Sequence, residues 1–394
     1  MAAKPRFDGE WVKLGELTSL VSRKNKTGQC GAVYSVTNSQ GFIPSTEYFS
    51  KEVFSKELKT YKLVGRNQIA YNPSRINVGS VALQDREDEV VVSPLYVVFS
   101  VDQERLDPAY LLRFLKSGPG LSQIAFQSIG TVRNNLKYDG LSNILLRVPS
   151  LEEQRLRIRA LVSLEERIET CRSFLSRLDA LVKSRFVEMF GNSRLGYKYE
   201  IQKLGALLSV DSQNGLYKPQ KFYVDKGGVP IVRVDAFQTG HIDDYGSLKR
   251  LECSESEIEV YGLRENDIVI NRVNGSIERV GKIAWIHGLA EPTVFESNLM
   301  RFHVDEDKLD LSYITAFLNS DDIRQQIKSR ARIANQCSIN QGNVADFDIP
   351  LPPLALQQEF ADFVAQVDKS RFVVQQQIEK LQMLYDSLAQ EYFS

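Results

Sequence analysis

Side chains suited to gripping bases and phosphates fall in a few loops of this chain. In the first half they are Arg23, Lys24 and Lys26, then Asn72, Ser74, Arg75 and Asn77, then Thr131, Arg133 and Asn134. In the second half they are Lys218 and Lys221, then Arg272, Asn274, Ser276 and Arg279, then Arg330, Arg332, Asn335 and Gln336. Arginine can hold guanine by two parallel hydrogen bonds, Asn or Gln can do the same for adenine, and Lys, Ser and Thr hold phosphates. Polar loops are ordinarily solvated surface, so any one of them carries little weight. These loops occupy equivalent places in two halves of the chain and differ in side chain, a pattern that favours two related binding surfaces. Arg75, Arg133, Arg272 and Arg332 are the preferred base or phosphate contacts. Gly79 and Gly281 have a structural role, serving a tight strand entry.

Other chemistry finds no support. Asp107-Pro-Ala-Tyr110 is similar to the [DN]-P-P-[YF] loop of amino-methyltransferases, but its repeat partner Asp310-Leu-Ser-Tyr313 lacks the proline. No glycine-rich cofactor loop accompanies either copy, so both read as a helix N-cap followed by a buried Tyr. Asn72-Pro-Ser-Arg75 lacks the second proline and the aromatic. No G-x-x-x-x-G-K-[ST] phosphate loop occurs. The acidic run Asp85-Arg-Glu-Asp-Glu89 has no following lysine in nuclease-like spacing and reads as a solvated hairpin turn. Four scattered cysteines (Cys30, Cys171, Cys253, Cys337) and three histidines (His241, His287, His303) have no zinc-site spacing. No catalytic residue and no metal site is assigned.

The elements that must position the polar loops come in two copies. Residues Phe99–Gly191 align without a gap on Phe302–Ser394 at an offset of 203, and nine of the first nineteen pairs are identical. Further forward, Lys13-Leu14-Gly15 matches Lys203-Leu204-Gly205 at offset 190. Gly41, Asn67 and Ile69 match Gly240, Asn266 and Ile268 at offset 199, and Asn77-Val78-Gly79 matches Arg279-Val280-Gly281 at 202. Insertions therefore concentrate in the front of each half, where loops vary without harming a core. A unit of about two hundred residues is too long for a solenoid repeat. It predicts two homologous domains in tandem, related by a pseudo-two-fold axis.

Each front reads as a mixed α/β globule, with strands such as Gly31–Thr37, Glu89–Val101, Val229–Val234 and Asp267–Ile270. A helix follows over Pro108–Lys116 in one copy and Leu311–Asn319 in the other. Each back reads as one long helix. Ser150-Leu-Glu-Glu153 has the pattern of a capping box. From there Leu161, Leu164, Ile168, Cys171, Leu175, Leu178 and Val182 recur at heptad spacing. The second copy keeps Val364, Val367, Val374, Ile378, Leu381 and Tyr385, with Arg371 at one apolar position. Helices of this length would run about 60 Å, longer than a 150-residue globule needs, so pairing with each other is favoured over packing on their own domains. The expected class is α+β: a globule over residues 1–149, a spacer helix over 150–191, a second globule over 192–351 and a second helix over 352–394, the helices forming an antiparallel coiled coil.

Composition sets outer bounds. The 394 residues are 43% hydrophobic and 25% charged, as in an ordinary soluble protein. No apolar run or leader suggests a membrane span or secretory signal, and a reducing cytoplasm is the expected compartment. The net charge of −1 hides an asymmetry: residues 1–150 carry 19 basic against 14 acidic residues, and residues 191–350 carry 19 against 23. A strongly basic nucleic-acid binder would show more. DNA binding would need basic residues grouped on one face, or phosphate contacts from partner subunits.

Globule, capped long helix, globule, long helix: this order resembles the DNA-specificity subunit of type I restriction-modification enzymes. The resemblance rests on the K-L-G starts at Lys13 and Lys203, the helix starts Pro149-Ser-Leu-Glu-Glu-Gln154 and Pro352-Pro-Leu-Ala-Leu-Gln357, and the helix end Phe186–Asn192. The run Tyr61–Gly79 is also similar to a stretch of that family's target-recognition domains. The resemblance implies that each globule reads one half of a bipartite double-stranded DNA target, and that the helices set the spacing between halves. It implies two modification (methyltransferase) subunits docked on the scaffold, with S-adenosylmethionine bound by them and no cofactor bound by this chain. Restriction subunits would join to translocate and cut DNA. The bland alternative is a coiled-coil adaptor without sequence-specific DNA binding; a further one is an enzyme whose site carries no recognisable motif.

Overall fold

A computed structural model describes residues 9–38, 40–48, 57–128, 135–237, 240–242 and 244–394. Thr131, Arg133 and Asn134 lie outside the described residues. The chain divides into two units: Met1–Ser173 together with Gln375–Ser394, and Phe174–Val374. Both division points fall inside the two 40-residue helices, Leu151–Phe190 and Leu354–Phe393.

The same sheet is built twice. In the first unit Thr18–Val21, Val97–Val101, Ile69–Tyr71 and Val81–Leu83 lie side by side in that order, all antiparallel. In the second unit Leu208–Asn214, Leu299–Val304, Ile268–Asn271 and Ile283–Trp285 repeat the order. A two-stranded ribbon flanks each sheet, Glu10–Lys13 with Leu145–Val148 and Ile201–Lys203 with Asp348–Pro350. Asn67 and Asn266, already paired by the sequence repeat, are the two non-glycine residues with positive φ among the described residues, at 63° and 68°. Asn tolerates the left-handed region because it lacks a branched Cβ and bonds locally. Both Asn side chains then reach an equivalent partner: Asn67 Nδ2 donates to Gln103 Oε1 (3.3 Å) and Asn266 Nδ2 to Glu306 Oε1 (3.0 Å).

The helices after each sheet are capped as their sequences suggest. Asp107 accepts from the Ala109 N–H, and Asp310 from those of Ser312 and Tyr313. Tyr110 and Tyr313 are buried. Two details depart from expectation. The stretch Glu89–Val101 is two strands, Glu89–Val92 and Val97–Val101, broken at Ser93-Pro94, where proline removes a ladder donor. The run Asp85–Glu89 is exposed over its first four residues but is no hairpin turn, because Val81–Leu83 and Glu89–Val92 pair in different sheets. At the first long helix, Ser150 Oγ accepts the Glu153 N–H, while the Glu153 carboxylate binds Arg157 Nε at 2.9 Å. Only that arm of the capping box is seen.

Both long helices enter both cores. In the first unit Leu161 shares a cluster with Phe99, Tyr110, Phe114, Ala389 and Phe393. The Phe393 ring lies 5.1 Å from Tyr110 and 5.7 Å from Phe114. In the second unit Phe190, its repeat equivalent, lies 4.8 Å from Tyr313. Polar pairs fix the direction. Glu165 meets Tyr385 (3.0 Å) and Arg157 meets the Tyr392 carbonyl (3.1 Å) in the first unit. In the second, Arg185 meets Glu359 (3.0 Å) and Asp179 meets Arg371 (2.8 Å). Residue numbers on one helix rise as those on the other fall, so within each unit the helices run antiparallel. Of the heptad positions, Leu161, Leu164, Ile168, Leu178 and Val367 are buried. Leu175, Val182, Val364, Val374, Ile378, Leu381 and Tyr385 are half-buried among exposed neighbours.

Candidate nucleic-acid interface

The polar loops hang from the ends of the central strands. In the first unit Ile69–Tyr71 gives way to Asn72, whose Oδ1 accepts the Ser74 N–H at 3.1 Å, forming an Asx turn. The chain tightens again at Gly79, φ 86°, before the next strand. In the second unit Asn274 Oδ1 accepts the Ser276 N–H at 3.2 Å and the chain tightens at Gly281, φ 82°. The two turns coincide at offset 202, and Cβ atoms are disfavoured at both glycines. What they present differs: Arg75 is replaced by Ile277, and Asn77 by Arg279. Ser74, Arg75, Asn77, Ser276 and Arg279 are exposed.

Tertiary pairing joins two loops that are distant in sequence. Arg332–Ile333 pairs with Cys337–Ser338 as a hairpin, and Cys337–Ser338 pairs in turn with Val273–Asn274. The Ile339 N–H also donates to the Arg272 carbonyl at 3.0 Å. The Asx turn and the hairpin therefore form one surface, bearing exposed Ser276, Arg279, Arg332, Asn335 and Gln336. In the first unit the Leu136 N–H donates to the Pro73 carbonyl at 3.0 Å, tying the corresponding turn to residues that follow the undescribed segment. Lys24 and Lys26 are exposed on a separate loop, shaped by buried Asn25, which donates to the Cys30 carbonyl at 2.7 Å.

Other predicted cations are already engaged within the protein. Arg23 is ion-paired with Glu89. The Lys218 ammonium lies 2.7 Å from Glu257 and from the Glu252 carbonyl and 4.7 Å from the Phe222 ring centre, and it draws the Glu257 carboxyl below its ordinary range. Arg330 reaches Asp346 (3.1 Å) and Asp348 (3.3 Å), where Lys203 also binds. Half-buried Arg272 donates to the Ser297 carbonyl at 2.9 Å. These four serve the scaffold first; Lys221 is exposed, 5.1 Å from the Phe222 ring centre.

Sequence reasoning passed over a partly buried polar network peculiar to the second unit. Asp267 meets Arg301 (3.3 Å) and His303 Nδ1 (3.1 Å), and His303 Nε2 meets Glu306 (3.2 Å). The repeat puts Gln68, Val98, Ser100 and Gln103 at those places, so comparing the copies position by position was the available signal. A polar cavity of about 260 Å³ opens beside it, lined by Val210, Arg264, Glu265, Asp267, Arg301 and His303. Arg301, Asp267 and His303 are satisfied by one another and by the Gly262 carbonyl and Gln213, so the network stiffens the sheet.

Residues 197–383 match the family model described as the type I restriction modification DNA specificity domain. The chain is 26% identical over 298 residues to the StySPI specificity subunit of Salmonella potsdam, covering 72% of this chain and 64% of that one. It is 25% identical over 315 residues to the EcoKI specificity subunit of Escherichia coli (strain K12), covering 76% and 65%. The chain thus spans somewhat under two thirds of the length of these curated relatives. A chain from a structure on complex assembly and conformational transition of the type I restriction-modification system matches with a TM-score of 0.58 and 17% identity, covering 98% of both chains; that likeness shows the fold. By these matches the chain is similar to type I restriction-modification specificity subunits, with the family-model match falling on residues 197–383.

Proposed function

We propose that this chain is the DNA-specificity subunit of a type I restriction-modification complex. Each unit reads one half of a bipartite double-stranded target, and the long helices pair as an antiparallel coiled coil that sets the spacing between halves. The observation that carries this reading is the duplicated Asx turn, Asn72–Ser74 and Asn274–Ser276, with one backbone presenting different side chains. A common scaffold with unlike contacts suits two unlike half-sites, since base edges are read by side chains while backbone geometry sets register. Modification subunits, carrying S-adenosylmethionine, would dock on this scaffold and methylate adenine, and restriction subunits would cut; this chain would supply specificity without catalysis or cofactor, acting in the cytoplasm. Residues 191–350 are acidic in balance, so phosphate contacts from the modification subunits would supplement Arg279 and Arg332.

The test is a gel shift with the chain and its modification subunits, against DNA chosen by mapping methylated adenines in the host genome. Preference for one bipartite sequence over random DNA is expected. Equal binding to both would favour the adaptor alternative.

A further inference from the structure

Ile333 is out of place for a structural residue. It lies on the outer strand of the three-stranded sheet and is 69% exposed, although the residue directly across the ladder, Cys337, is buried. A β-branched side chain on an exposed sheet edge invites unwanted association, and proteins usually place charge or proline there. The tip it leads into, Ala334-Asn335-Gln336, carries no charge; the Ala334 N–H closes the turn on the Gln336 carbonyl at 3.3 Å. The two exposed carboxamides of Asn335 and Gln336 follow Ile333 and Ala334, and exposed Arg332 precedes them.

This combination matches the major-groove face of an A·T base pair. Adenine offers an acceptor and a donor to an Asn or Gln side chain, and thymine offers a C5 methyl to an apolar group. We infer that Ile333 contacts a thymine methyl in the half-site read by the second unit, with Asn335 or Gln336 placed for the adjacent adenine edge. The inference rests on the DNA-binding function proposed above and adds the base and the atom. In the first unit the equivalent position, at the repeat offset of 203, is Gly130. No such contact is therefore expected in the other half-site.

Replacing thymine by uracil removes the methyl group alone, which makes the test selective. With the chain and its modification subunits bound to the mapped target, each thymine of the second unit's half-site is changed to uracil in turn. One position should weaken binding about fourfold, the ratio given by burying one methyl group. The same change should have a smaller effect on Ile333→Ala, whose shorter side chain reaches less of the methyl, while Ile333→Val should keep most of the sensitivity. Because Ile333 lies outside the core, neither variant should lose stability. Uracil tolerated at every position, a half-site without thymine, or an equal uracil effect in Ile333→Ala would overturn the inference while leaving bipartite recognition standing. A complex that recognises no bipartite sequence would instead overturn the function on which the inference rests.

Discussion

Gln154, wholly buried at the start of the first long helix, accepts the Asp107 N–H on its Oε1 at 2.8 Å. Its Nε2 donates to the Arg105 and Pro149 carbonyls at 2.9 and 2.8 Å. Gln357 does the same in the second unit, with Asp310, Lys308 and Pro352 at 2.8, 2.9 and 2.8 Å. One carboxamide thus ties the cap of the globule's helix to the start of the long helix. It satisfies three backbone groups from a wholly buried side chain, and of these contacts the one to the Pro149 or Pro352 carbonyl is itself buried.

Gln154→Leu keeps the volume and orphans those three groups. At about 1–3 kcal/mol for a buried polar group left unpaired, the first unit should lose about that much, the Pro149 carbonyl being the group left in a buried setting. Urea unfolding followed by circular dichroism measures it. A loss too small to resolve would mean that the Gln is no more than filler.

Arg332→Ala should weaken DNA binding by about 1–3 kcal/mol if the guanidinium grips a base, with relaxed preference at one position. A phosphate contact would instead produce a uniform loss and a shallower salt dependence. Arg330→Ala, by contrast, should act mainly on stability, because Arg330 is bound to Asp346 and Asp348. Titrations at several salt concentrations separate the three cases.

Removing one heptad from each long helix should change the number of base pairs between the two half-sites, or abolish binding. The removed blocks must be partners, for instance the residues around Asp179 and those around Arg371, which meet at 2.8 Å. Methylation mapping reads the spacing directly. An unchanged target would count against the helices as a ruler.

Asp346 gives a pH signature. Hydrogen bonds from Lys203 and Arg330 hold its carboxyl below the ordinary Asp range. Its folded pKa is therefore lower than its unfolded one, and its contribution is present above the unfolded value and lost as pH falls through the folded one. Asp346→Asn should flatten the decline of stability on the acid side of the ordinary Asp range and leave the slope near neutrality unchanged. Thermal unfolding across pH is the measurement, and a slope identical to the parent protein's would remove Asp346 from the account.

Much of the fold was legible because it is written in short-range signals. Helix caps at Asp107 and Asp310 depend on the next two or three residues. The heptad seam depends on a spacing that repeats every seven. Strand limits were less clear: Ser93-Pro94 broke a run that reads as one apolar stretch, and the Asp85–Glu89 run proved to join two sheets. Local polarity cannot say which strand pairs with which.

By itself the sequence determined that the chain is a duplication, that the copies diverge most in their fronts, and that each ends in a long amphipathic helix. These follow from identity between the copies and from periodicity, and neither needs a third dimension. Only the tertiary structure decided which cations are free. Glu89, Glu257 and Asp346 lie 66, 39 and 16 residues from the basic groups they occupy, and charge pairing over such separations is set by how strands come together. Tertiary structure likewise brought residues 273–274 beside 337–338 and left Ile333 in the open. The reason is the same in each case: the ladder partner is chosen by burial of the opposite face, a property of the whole unit.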